Sequence, residues 1–285
     1  MTEITKATVT AQANRLEQMI KKAALKSGAG DAVHSEVYVN VGGGEMRFLA
    51  SKQNNSVISY STFGSGFLDT VEVDQEKLIE DNNGTAEAII NVEDFLTYLS
   101  YAQDDPSATV ELTLLGEEDD RLAHALQFHG AIQTRVMLPA SETNLDEVPL
   151  DAVGRFDDDT HSFLTGEGEP MEARIETDVK EIQRIVNIVN DDDDTKFYPI
   201  TIQDGELYLS VGKDERRNAA WGSLNAKEVD GPDLSNQYNQ GFEELFGTLS
   251  GSVRIETDED LPICIVQDEY EGQVLRNVIG PVNQQ

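Results

Sequence analysis

Two nine-residue stretches, VEDFLTYLS from Val92 and FEELFGTLS from Phe242, match acid to acid and apolar to apolar, with Glu93/Glu243, Leu99/Leu249 and Ser100/Ser250 identical. A segment written twice in one chain predicts two copies of one folding unit. The repeat extends upstream. Ala13, Leu16, Ile20, Ala23 and Ala24 recur at helical spacing, and Ile182, Ile185, Val186 and Val189 do so again further on. After the first stripe comes HSEVYVNVGGGEMRFLASKQNNSVISYSTF and after the second KFYPITIQDGELYLSVGKDERRNAAWGSL, alternating and β-branched runs broken by glycine turns. Asn91 is placed to cap the helix at Val92. Strands follow both short helices: TVELTLL and LAHALQFHG in the first half, SVRIET and LPICIVQD in the second. Each half therefore reads strand, helix, several strands, helix, several strands. The predicted fold class is α+β, with helices at 11–27, 92–103, 178–190 and 241–249 and domains at 1–138 and 161–285. Between them, LPASETNLDEVPLDAVGRFDDDTHSF has two prolines, seven acids and no periodic pattern, and reads as an extended connector at 139–160.

The charge balance restricts the setting. The 285 residues include 54 acids and 21 basic residues, a formal net charge of −33, while 39% hydrophobic content is too high for a disordered acidic tail. Acids dispersed along a folded chain match a surface that stays hydrated in molar salt, which points to a halophilic source. The lone Cys264, within LPICIV, excludes an intramolecular disulfide and reads as a small buried hydrophobe in a reducing compartment. The start MTEITKATVT lacks the features of a signal peptide and no run of 18 apolar residues occurs, so a cytoplasmic protein without a membrane partner is expected.

The sequence offers little for catalysis. His124 and His129, five apart in a strand run, point to opposite faces and cannot share a metal. His34 and His161 have no neighbouring triad residues. Asp191 to Asp194 lacks the glycine and distant glutamate of a calcium loop and reads as a solvated turn after the second long helix; a metal-dependent hydrolase using it is the remote alternative. Gly42 to Gly44 precedes a strand and no Lys-Ser/Thr follows, so it reads as a tight turn and not a phosphate loop. A non-enzyme with no cofactor, no catalytic residue and no metal site is expected.

Positive charge is gathered in one place. RLEQMIKKAALKS, Arg15 to Ser27, carries four basic residues and one acid. On a helix Arg15, Lys22 and Lys26 share one stripe with Gln18 adjoining, away from the apolar face. The macrodipole accounts for Lys21, Lys22 and Lys26 near the C-terminal end but not for Arg15 near the start. Lys180 and Arg184 repeat the stripe weakly. A basic helix stripe suits a phosphate backbone, yet electrostatic DNA binding fades steeply with salt. At molar salt, where the Debye length is about 3 Å, topological enclosure would hold what Coulomb attraction cannot.

The whole chain resembles the sliding clamps of the proliferating cell nuclear antigen family. The likeness is carried by the duplicated organisation, the acidic connector LPASETNLDEVPLD and the ending SVRIETDEDLPICIVQDEYEGQVLRNVIGPV, which closes on Ile279, Gly280 and Pro281. The resemblance implies a homotrimeric ring with sheets outside and helices lining a hole around duplex DNA. Arg15, Gln18, Lys21, Lys22, Lys26, Lys180 and Arg184 would then face DNA irrespective of its sequence. The helices at 92–103 and 241–249 carry neither Lys nor Arg, which implies a lining less basic than usual. It further implies a processivity factor that a clamp loader places on DNA. DNA polymerase and other clamp-binding proteins would dock in an apolar pocket under the connector, formed by Val57, Leu145, Val148, Pro262, Ile279 and Pro281. Two departures stand out: the Asp-Ser/Pro start of the family's central loop is missing before Val57, and KDERRNAAWGSLNAKEVDGPDLSNQYNQ, with Trp221, is long and polar. Viral clamps diverge in this way, so an archaeal virus is as apt a source as its host. The competing expectation is a β-rich structural or assembly protein of a halophilic virus, which leaves the basic stripes unexplained.

Overall fold

The computed structural model describes residues 3–26, 32–52, 57–74, 78, 84–118, 120–139, 145, 148–157, 159–186, 197–214, 217–238, 242–269 and 272–281. Two compact units emerge: Met1–Ser51 with Ser59–Pro149 and Glu269–Val274, and Lys52–Ile58 with Leu150–Asp268 and Leu275–Gln285. In chain order the first half holds β1 (Glu3–Gln12), α1 (Ala13–Ala23), β2 (Glu36–Gly42), β3 (Glu45–Ser51), β4 (Val57–Phe63), β5 (Thr70–Val73), β6 (Ala86–Asn91), α2 (Val92–Ala102), β7 (Thr109–Glu117), β8 (Ala125–His129) and β9 (Gln133–Met137). A single helical turn, α3 (Leu150–Val153), follows. The second half holds β10 (Ala173–Asp178), α4 (Val179–Val186), β11 (Tyr198–Gln203), β12 (Glu206–Asp214), β13 (Arg217–Leu224), β14 (Glu228–Asp230), β15 (Leu234–Tyr238), α5 (Phe242–Thr248), β16 (Ser252–Thr257), β17 (Ile263–Glu269) and β18 (Gln273–Ile279).

Element for element, the two halves are the same. The order β5-β1-β7-β8-β9 in the first corresponds to β14-β10-β16-β17-β18 in the second, and β4-β3-β2-β6 to β13-β12-β11-β15. Each strand pairing given in register is antiparallel. The long polar segment that stood out in the sequence thus becomes strands β13, β14 and β15. Trp221 pairs through its backbone with Ser210. The turn at Gly43 and Gly44 is the two-residue hairpin expected, with φ of 64° and 84° and Gly42 opposite Glu45. Positive φ at both central residues matches the twist of the flanking strands, and glycine adopts it without steric cost.

The helices form because one face of each is apolar and buried. Ala13, Leu16, Met19, Ile20 and Ala23 on α1 are 0–1% exposed, and Ile182, Ile185 and Val186 on α4 are buried as well. Val189 and Asp191 to Asp194 lie outside the described residues. Asn91 caps α2 as expected, its side chain accepting the Asp94 N–H at 3.1 Å. Two boundaries differ from the sequence expectation. Residues 11 and 12 belong to β1, and α1 stops at Ala23 because Leu25 turns left-handed at φ 50°, with Lys26 N–H donating to Lys21 O at 2.8 Å and Leu25 N–H to Lys22 O at 3.2 Å. This reverse turn normally uses glycine; here a leucine 1% exposed adopts it, its burial offsetting the strain. The second half of the expected connector is folded too. After α3, Phe156 and Phe163 meet at 5.0 Å between ring centroids, and Arg155 stacks over Phe163 at 4.2 Å while donating to Leu164 O. One helical turn is too short to leave a periodic signature, which is why 150–160 read as extended.

Phe242 is the keystone of the second unit. It stacks on Tyr198 at 4.7 Å, meets Phe246 at 4.8 Å and has no exposed surface. Phe242→Ala should lower unfolding free energy by about 3–5 kcal/mol, read as a fall in the denaturant midpoint. An unchanged midpoint would mean that α5 is not anchored by this ring.

Candidate nucleic-acid interface

Burial of the apolar stripe leaves the polar face of each helix outward, and that face carries the predicted DNA-facing residues other than Lys26. Arg15, half-buried, donates from Nη1 to the carbonyls of Gly66 (3.2 Å) and Phe67 (3.3 Å), with its guanidinium 5.8 Å from the Phe67 ring centroid. Gln18 is exposed. Lys21 pairs with Glu17 one turn before it at 2.5 Å. Lys22 reaches Gln273 Oε1 at 3.4 Å. Lys26 is not on the helical stripe: the turn at Leu25 carries it off the helix end, where it pairs with Glu93 on α2 at 2.8 Å and keeps only 12% of its side chain exposed. In the second unit Lys180 is exposed, and Arg184 pairs with Glu181 at 3.2 Å.

These pairs change the electrostatic character of the face. With Lys26, α1 carries four cations and one acid; α2 adds two acids, α4 two cations and one acid, and α5 two acids. Of the chain's 21 basic and 54 acidic residues, six of each lie here, so the other 15 and 48 account for the whole −33. The helix surfaces are neutral, not basic. The halves also differ at one matched position. Glu93 takes an ammonium, whereas Glu243 accepts the Tyr198 hydroxyl at 3.1 Å, and burial together with Glu243 raises the Tyr198 pKa. Two of the pairs, Glu17/Lys21 and Glu181/Arg184, sit at helical neighbour spacing and so follow a local rule. Glu93 does not, because its partner lies 67 residues away.

The predicted partner-binding residues divide between the units. Leu145 (9% exposed) and Val148, joined by a Val148 N–H to Leu145 O bond of 3.0 Å, belong to the first. Val57, Pro262, Ile279 and Pro281 belong to the second. Pro262 and Pro281 are half-buried, but Val57 and Ile279, at 0% and 1%, are core residues with no surface to offer.

Three histidines each have their own partner. His34 Nε2 lies 3.2 Å from Ser59 Oγ, His124 Nε2 lies 2.9 Å from Glu3, and His161 Nδ1 accepts from Arg276 at 2.7 Å. Cys264 has no exposed surface, and burial drives its thiol pKa well up. Among the described residues no group of three or more His, Cys, Asp or Glu is placed to hold a metal, and no helix is long and apolar enough to cross a membrane.

Neither a protein-family model nor a curated protein matches the sequence. Solved structures do match the fold, from end to end. The PCNA of A. fulgidus bound to the C-terminal region of FEN-1 superposes with a TM-score of 0.71 at 10% identity, covering 98% of this chain and 99% of that one. The PCNA of Thermococcus kodakaraensis gives 0.65 at 14% identity, covering 96% and 99%. That of Entamoeba histolytica gives 0.64 at 10%, covering 98% and 99%. The chain has the two-domain DNA-clamp fold, with antiparallel sheets and duplicated helix pairs.

Because Glu93 is 66% exposed, its pair with Lys26 is a surface interaction. A double-mutant cycle of Lys26→Ala and Glu93→Ala should give a coupling below about 1 kcal/mol. A coupling of several kcal/mol would instead make the pair a structural element of the helix packing.

Proposed function

We propose that this chain is a DNA sliding clamp, a non-enzymatic processivity factor that closes as a homotrimer around duplex DNA. The observation that carries the reading is the fold likeness to PCNA over 96–98% of the chain. Arg15, Gln18, Lys21, Lys22, Lys26, Lys180 and Arg184 would face the duplex. DNA polymerase and other clamp-binding proteins would dock at the connector, the loop at Pro262 and the closing segment, where Val148, Pro262 and Pro281 are half-buried and Leu145 is buried. Tails such as the FEN-1 C-terminal region bound to the A. fulgidus protein exemplify such partners. A loader would be needed to open the ring. The acidity supports a cytoplasm of molar salt, in a halophilic archaeon or a cell infected by its virus.

Two sheet edges support the ring. β9 ends one sheet in the first unit and β13 ends another in the second. An edge strand is a template for pairing with another chain. Beside β9, Tyr101, Ile132 and Met137 are 62%, 60% and 65% exposed, an apolar flank for such a joint. Glu3, its pKa lowered by hydrogen bonds to Arg135 and His124, ties β9 back to β1.

Light scattering tests the assembly. Ile132→Asp with Met137→Asp should convert the trimer to a species of one chain mass, 31.4 kDa. A trimer that survives both changes would place the joint elsewhere. Since chains of charge −33 repel one another, the trimer should also be firmer at about 1 M KCl than at about 0.15 M. Dissociation on raising salt would contradict this.

A further inference from the structure

The ion pairs on the helix faces bear on how a clamp of this kind would meet its DNA, an inference that rests on the clamp reading. Lys21, Lys26 and Arg184 each sit against a carboxylate of the same unit, at 2.5, 2.8 and 3.2 Å. Arg15 already gives its Nη1 to two backbone carbonyls. We propose that Glu17, Glu93 and Glu181 mask these three cations from phosphate. The helix surfaces then meet duplex DNA as a near-neutral lining whose contact with DNA weakens with ionic strength less steeply than six unmasked cations would require.

The energetics turn on what a lysine leaves behind. Exposed ion pairs are weak, about 0–1 kcal/mol, so a phosphate can compete for the ammonium. Yet a lysine that swings to phosphate abandons a carboxylate beside a polyanion, and the repulsion offsets the new contact. Counterion release follows the net number of phosphates neutralised, with a slope of about 0.9 in log K against log salt per phosphate. Helix surfaces with four cations and three acids in the first unit, and two cations and three acids in the second, neutralise few. The rest of the chain, at −33, repels the duplex at any distance that salt leaves unscreened. Such a protein has little affinity to lose when salt rises, and enclosure does the holding.

The three glutamates are therefore masking residues, not contacts, and removing their charge should create affinity where the wild type has little. The test is equilibrium binding of a fluorescent linear duplex between about 0.15 and 1 M KCl, across which the Debye length falls from about 8 to about 3 Å. For the wild type we expect a log–log slope smaller in magnitude than about 3, equivalent to about three phosphates or fewer. Binding too weak to titrate is the limiting form of the same result. The triple variant Glu17→Gln, Glu93→Gln, Glu181→Gln should bind at least about tenfold more tightly at the low-salt end. Its slope should be steeper by about 0.9 for each cation that reaches a phosphate. A wild-type slope of about 3 or more overturns the masking proposal without any variant, as does a folded triple variant that binds no better. Retention is scored separately. A wild-type ring that leaves covalently closed circular duplex as fast as it leaves the linear form defeats the clamp reading itself, whatever the slope.

Discussion

Everything else in this fold depends on burying one stripe of each short helix. Helices of 11 and 8 residues, such as α1 and α4, are too short to persist alone in water. They exist because Leu16, Met19 and Ile20 in one unit, and Ile182, Ile185 and Val186 in the other, leave water on folding. That requirement fixes the helix rotation. Once the apolar stripe is inward, the outward positions are determined, and the charges there are held in a fixed array on a rigid support.

The duplication shows how one architectural demand is met by different chemistry. In both units a sheet ends in a strand whose outer edge is covered by a neighbouring turn. At β6, Glu87 receives Arg121 Nε at 2.7 Å, and its carbonyl accepts the Ala123 N–H at 2.7 Å. At β15 the matching work falls to a neutral amide: Asn236 donates to Thr257 Oγ1 at 3.0 Å and to Asp258 O at 2.6 Å, and accepts the Asp260 N–H at 3.0 Å. An ion pair and a carboxamide do the same job because each satisfies the polar groups that the turn brings to the edge.

What could be read from the sequence was what repeats with a period. The stripes of α1 and α4, the cap at Asn91, the glycine hairpin and the duplicated order all obey local rules that leave a residue pattern. What escaped was decided by contacts distant in sequence or by a single residue against type. Leucine at a position that favours glycine hid the end of α1, and with it the true place of Lys26. The Lys26–Glu93 pair spans 67 residues, so no spacing rule could reveal it. Phe156 and Phe163 fold the connector's second half through one ring contact that an acidic, proline-flanked segment gives no reason to expect. For the apolar partner residues, pattern alone could not separate surface from core. Val57 and Ile279 read the same as Val148 and Pro262 until their burial is known.

The charge pattern joins these observations. In a chain of −33, the helix faces reach neutrality because basic residues are concentrated there, not because acids are absent. If attraction to phosphate were the purpose, removing Glu17 and Glu93 would favour it with no cost to the apolar stripe, since neither belongs to it. Their presence beside the cations gives a surface that neither repels a polyanion nor grips it. In the proposed clamp, a lining that lets duplex slide through it would be better served by that balance than by strong contacts, because each strong contact would have to be broken at every step. At high salt the same balance forfeits little, since the long-range attraction it gives up is already screened.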